Sequence, residues 1–263
     1  MTYQFGDNPR THKRAIPLTK HLLAEADNLI HSGSIAVSPG NVPVFPLMVG
    51  WWRHVNATAA DYLTLVEAGS TVTLTPLFRS IVEHTYKMIW LADVGADGVT
   101  VVEHNTWKQR RILIEGMRGR WTLDDDIDVG ELPAHVPADR TTQQGARHYA
   151  LLQEFTSFNK LTAEFGSEDM YDVYRHLCDF THPTGYTADA YLRRNDDGTV
   201  TIRARAEPRG RAEIIWLPIC LLQAGLVTSA LISGDPFRKV VDKAARDYGV
   251  PVHLLVPQRS PAS

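Results

Sequence analysis

The sequence predicts a mainly all-α protein: a single helical bundle with one small β-hairpin. Three observations carry that expectation. Apolar residues recur at three- and four-residue spacing through most of the chain, glycine or proline interrupts the pattern at helix-length intervals, and β-forming residues gather in one stretch only.

The first 14 residues are polar and lack the continuous apolar core of a secretory signal; they are expected to form a flexible N-terminus of a cytoplasmic protein. A helix is predicted over residues 16–30, where Ile16, Leu18, Leu22, Leu23, Ala26, Leu29 and Ile30 share one side, with Gly33 and Pro39-Gly40 ending it. A second helix covers residues 45–67 and closes on Gly69. The third, residues 71–92, is strongly apolar, and Pro76 suits its first turn. Asp97-Gly98 is expected to break the chain before a fourth helix over residues 100–117.

Residues 121–140 are the least regular, with Asp124, Asp125, Asp126, Asp128 and Glu131 among prolines. They lack the glycine and ligand spacing of a calcium loop and read as a solvated connection. A fifth helix is predicted over residues 142–165, and a shorter one over 168–180 with Ser167 as N-cap. The hairpin is placed near residues 190–206, where Asn195-Asp196-Asp197-Gly198 gives a turn and Thr199, Val200, Thr201 and Ile202 a strand.

Residues 214–232 are nearly all apolar and long enough to span a bilayer. Pro218, Gln223, Thr228 and Ser229 interrupt them, so they read as a helix buried on all sides, with no membrane partner. A short helix over residues 236–248 follows, and residues 257–263 are expected to be a disordered tail; the helical domain is set at residues 15–250.

Composition excludes several classes. The chain has 263 residues, 44% apolar, with a formal net charge of −3, which removes binding of nucleic acid by bulk charge. Cys178 and Cys220 belong to no zinc spacing, so neither a metal nor a disulfide framework is expected. Phosphate-loop, dinucleotide-fold and nucleophile-elbow motifs are absent, and no cofactor is implied.

Two segments carry the chemistry. On the third helix Arg79, Glu83, Tyr86 and Trp90 fall within one stripe, being four, three and four positions apart. They read either as the lining of a polar cleft or as an ion pair that fixes helix register. The second segment is Tyr174-Arg175-His176-Leu177-Cys178-Asp179-Phe180-Thr181-His182-Pro183, in which Arg175, Cys178 and His182 share a face if the helix persists. His182 then either caps the final carbonyls or exchanges protons near neutral pH. Arg79, Glu83, Tyr86 and Tyr174 are the candidate substrate-binding residues; Arg175, His182 and His176 are the candidate catalytic ones. The two segments are expected to face each other.

Phe78-Arg79-Ser80-Ile81-Val82-Glu83-His84, followed by the Tyr174 to Pro183 segment, resembles bacterial all-helical proteins of unknown function. Those carry an R-S-x-x-E helix and a Y-x-x-L-[SC]-x-x-x-H-P segment; the likeness spans residues 40–235 and implies a fold and a site, without an activity. Arg175 and His182 are also similar to the R-x4-6-H motif of the HEPN superfamily, at the long end of its spacing and with His176 where Asn is commoner. That resemblance implies a metal-independent ribonuclease of a defence or toxin setting, acting as a homodimer on RNA, with Arg175 on the phosphate and His182 moving protons. A non-catalytic protein that binds a nucleotide or other anionic small molecule, and a structural partner protein, are the alternatives.

Overall fold

The computed structural model describes residues 9–33, 35–70, 72–118, 130–204, 206 and 213–259. Among these the chain is mainly helical: α1 (Pro9–His31), α2 (Phe45–Glu67), α3 (Leu74–Val94), α4 (Ala96–Met117), α5 (Gln143–Thr156), α6 (Phe158–Glu164), α7 (Glu168–Asp179) and α8 (Gly185–Asp189) precede the strands. Strands β1 (Leu192–Arg194) and β2 (Val200–Ile202) pair antiparallel, and α9 (Glu213–Ser229) and α10 (Arg238–Tyr248) complete the helices.

The apolar run of the sequence becomes α9, which packs against α1, α2, α3 and α10. Thirteen of its 17 residues are buried, the pattern of a helix surrounded by protein. Its polar residues find partners inside. Thr228 donates to the Ala224 carbonyl at 2.8 Å, and the Gln223 amide donates to the Leu255 carbonyl at 2.6 Å. The Ser229 hydroxyl accepts from the Phe237 backbone N–H at 2.9 Å. No helix among the described residues is long and apolar enough to cross a membrane.

Against α9 lie α2 and α3, which bury Trp52, Val55, Tyr62, Phe78, Ile81, Met88 and Trp90 in one continuous core. The α3–α4 corner forms at Gly95, whose φ of 64° suits glycine, rather than at the expected Asp97-Gly98. Gly98 lies inside α4 for a different reason. A Cβ there would stand 2.6 Å from a Val94 methyl, so the missing side chain lets α4 close onto the end of α3.

Two further boundaries depart from the sequence expectation. Helix α1 begins at Pro9 and runs through Pro17, so residues 9–14 are helical; residues 1–8 lie outside the described ones. The expected fifth helix is two, because Ser157 leaves the helical region (φ −119°, ψ 103°) and its hydroxyl accepts from the Lys160 N–H, capping α6. At the end of the described residues the Arg259 guanidinium reaches Asp93 at 2.7 Å, Glu164 at 2.9 Å and Glu154 at 3.1 Å. Residues 119–129, with most of the acidic stretch, and residues 260–263 lie outside the described residues.

The hairpin forms within its expected span, with Leu192 opposite Ile202 and Arg194 opposite Val200. Gly198 takes a φ of 82° in the turn, and Asp197 accepts from the Thr199 N–H at 2.9 Å.

Candidate functional site

Helix α7 opens with Glu168 and Asp169, which favour its dipole, and is anchored by Leu177, 1% exposed. Ser167 does not cap it as expected; its hydroxyl donates to the Phe165 carbonyl at 3.1 Å instead. With Leu177 in the core, Tyr174 and Cys178 fall on the side that meets α3, three and four positions being neighbours on a helix face.

There they close a polar row. Arg79 donates to the Tyr174 hydroxyl through one terminal nitrogen and to Cys178 Sγ through Nε at 3.2 Å. The same terminal nitrogen lies 3.7 Å from Glu83, and the Tyr174 hydroxyl donates to Glu83 at 3.3 Å. Lys87 completes the row, donating to the other Glu83 oxygen at 2.8 Å. Burial acts to raise the Glu83 carboxyl, but Lys87 and Arg79 outweigh it and hold it below its ordinary value. Burial and the neighbouring Glu83 push the Tyr174 phenol up to about 12, so it stays a donor at neutral pH. Two cations, one carboxylate and one phenol thus satisfy one another across the α3–α7 seam. Such a row fixes helix register; its lysine was missed from the sequence, although it stands four residues after Glu83.

The other expected members of this site lie elsewhere. Tyr86 is buried and packs edge-on to Phe158 at 5.7 Å. Trp90 is fully buried and donates to Glu154 at 3.0 Å. Arg175 and His176 are exposed and turn away from the seam by about 100° and about 200°, because one residue turns a helix by about 100° and Tyr174 occupies the inward position.

Past Asp179 the backbone keeps a helical hydrogen bond, from the His182 N–H to the Cys178 carbonyl at 3.1 Å. His182 therefore comes out at the exposed end of α7, and its ring has no hydrogen-bond partner among the described residues. His176 rests edge-on against Phe180 at 4.9 Å, and the Arg175 guanidinium lies 6.0 Å from the Tyr171 ring. Of the expected single site, Arg79, Glu83 and Tyr174 are joined in a paired internal row, whereas Arg175, His176 and His182 are exposed outside it.

Two features had no sequence signal. His104 and His148, far apart in sequence, meet between α4 and α5 with Nδ1 and Nε2 2.8 Å apart, both buried. A cleft of about 300 Å³ opens beside Tyr86 and Gln223. Among the described residues no group of three or more His, Cys, Asp or Glu side chains is placed to hold a metal ion.

No curated protein and no solved structure matches the chain. A family of unknown function, DUF5677, matches residues 46–199, which include both motifs, the α3–α7 seam and the first strand of the hairpin. The chain belongs to that family.

Proposed function

We propose that the exposed end of α7 binds the phosphate backbone of RNA and cleaves it without a metal. The observation that supports this is the contrast between the two arginines. Arg79 is committed to Tyr174, Cys178 and Glu83, whereas Arg175 has no carboxylate within ion-pair distance among the described residues and is exposed, as are His176, next to it in the chain, and His182, seven residues on. An unpaired guanidinium offers phosphate a bidentate donor pair, and an imidazole ring offers a nitrogen that can take up a proton.

In the proposed step the neutral His182 imidazole takes the proton of a ribose 2′-hydroxyl as that oxygen bonds to phosphorus. The bond from phosphorus to the 5′-oxygen breaks, water protonates the departing oxygen, and a 2′,3′-cyclic phosphate remains. Arg175 stabilises charge developing on the phosphoryl oxygens, and a second copy of the chain supplies a second such patch.

Binding without cleavage is the second reading. It is favoured by the His182 ring, which no hydrogen bond among the described residues holds in a fixed orientation. Incubation of the full chain with RNA in excess EDTA separates the two: cleavage yields 2′,3′-cyclic ends that His182→Ala abolishes. RNA bound but intact supports the second reading, and RNA neither bound nor cut overturns both.

A further inference from the structure

A cleft of about 300 Å³ lies between α3, α7, α9 and the segment that follows α10. Its floor is Phe78, Val82, Tyr86, Cys220 and Leu255, all buried, with the Gln223 amide among them. Its mouth is Met170, Val173, Trp216, Val250 and Pro251, of which Val173 is 37% exposed. On α3 its lining residues Phe78, Val82 and Tyr86 are each next in sequence to a member of the Arg79 row.

The walls are pinned, which explains why the space persists. The Tyr86 ring packs edge-on to Phe158 at 5.7 Å. The segment after α10 is tied by the Val250 N–H to the Ala245 carbonyl at 2.9 Å, by Gln223 to the Leu255 carbonyl at 2.6 Å, and by Arg259 to three carboxylates. These ties hold the segment after α10 at its distance from α9. A preformed site of this kind binds at lower ordering cost than one that must be assembled.

The lining also selects the ligand's chemistry. None of the twelve lining residues is Asp, Glu, Lys, Arg or His. Burial pushes both the Tyr86 phenol and the Cys220 thiol up to about 12, so both are neutral at pH 7. An ionised ligand here loses its hydration with no counter-charge to replace it. Phe78, Tyr86 and Trp216 offer ring faces and edges, and the Gln223 amide offers its carbonyl oxygen to a ligand N–H or O–H. Water finds few hydrogen-bond partners on such walls and is readily displaced by apolar atoms.

We infer that the cleft beneath Val173 and Pro251 is a binding site for a neutral, mainly apolar ring compound carrying one hydrogen-bond donor. The site is separate from the exposed end of α7 and does not depend on the function proposed for it.

The test uses the full chain and N-phenyl-1-naphthylamine, a neutral fluorophore with apolar rings and one N–H. Saturable one-to-one binding is expected, with displacement by the neutral 1-naphthylmethanol and at least tenfold weaker displacement by the anionic 1-naphthoate. Val173→Trp fills the mouth from a partly exposed position and is expected to weaken binding at least tenfold while the circular dichroism spectrum is unchanged. Absence of saturable binding to folded wild type, equal displacement by the two naphthalene compounds, or unaltered affinity in folded Val173→Trp would overturn the inference. The displacement arms need no variant to fold.

Discussion

Replacing Arg79 by Met keeps most of the side-chain volume and removes the guanidinium from the α3–α7 seam. Arg79 and Glu83 side chains are 25% and 26% exposed, so the pair is neither freely solvated nor fully desolvated. The carboxylate keeps Lys87 at 2.8 Å and the Tyr174 hydroxyl keeps Glu83 at 3.3 Å, so neither is left without a partner. The loss is then the net worth of the charge-assisted bond to Tyr174, about 2 kcal/mol, at the low end for a partly buried group. Tyr174→Phe removes one hydroxyl and is expected to cost about 1 kcal/mol. Because the two side chains share a bond, the double variant is expected to cost about 1 kcal/mol less than the sum. Urea unfolding followed by tryptophan fluorescence measures all three. Arg175→Met serves as the contrast: exposed and unpaired, it is expected to shift stability by no more than about 0.5 kcal/mol. If Arg79→Met cost no more than Arg175→Met, or if the Arg79 and Tyr174 effects simply added, the seam would not be the register lock described.

Three other outcomes are expected. Burial lowers the pKa of both His104 and His148 below the ordinary 6.5, so the unfolded chain binds more protons than the folded one once pH falls below that value. Stability is therefore complete above about pH 6.5 and declines as pH falls further, and a urea midpoint equally high at pH 7.5 and 5.5 would contradict this. Arg259→Met leaves Asp93, Glu154 and Glu164 facing one another and is expected to destabilise the chain by about 2 kcal/mol, read as a lower urea midpoint; an unchanged midpoint would remove the anchoring role given to the C-terminal segment. Gly98→Val is expected to cost about 2 kcal/mol through overpacking against Val94 and Leu91, and a Val94→Ala background should recover part of it.

The helices that bury one face were legible in the sequence, because apolar spacing and packing state the same requirement: α2, α3 and α9 fall within a few residues of expectation. The hairpin was legible for a local reason, the Asn195–Gly198 turn beside β-branched residues. Boundaries set by tertiary contact were not. Ser157 ends α5 and starts α6 through its own backbone angles, while the apolar pattern runs on to Phe165. Gly95 rather than Gly98 makes the α3–α4 corner, and two glycines three residues apart look alike until the close approach of Val94 is seen. The α3 stripe was half legible. Arg79 and Glu83 pair as their four-residue spacing allows, yet Tyr86 and Trp90 on the same stripe go into the core because α6 and α5 cover that end of the helix. The partners of Arg79 on α7 were visible as a motif, but which of Tyr174 and Arg175 faced inward depended on where Leu177 anchored the helix. The histidine pair and the apolar cleft join residues distant in sequence, and no spacing announces either.

The central claim is that ligand phosphate meets the exposed end of α7 and not the paired row at Arg79. Titrating isotopically labelled full-length chain with a short RNA, and following amide and side-chain resonances, tests it most directly. Shifts are expected to centre on Arg175, His176 and His182, with the Arg79 side-chain resonance unmoved. Shifts centred on Arg79, Glu83 and Tyr174, or no shift anywhere on α7, would contradict it.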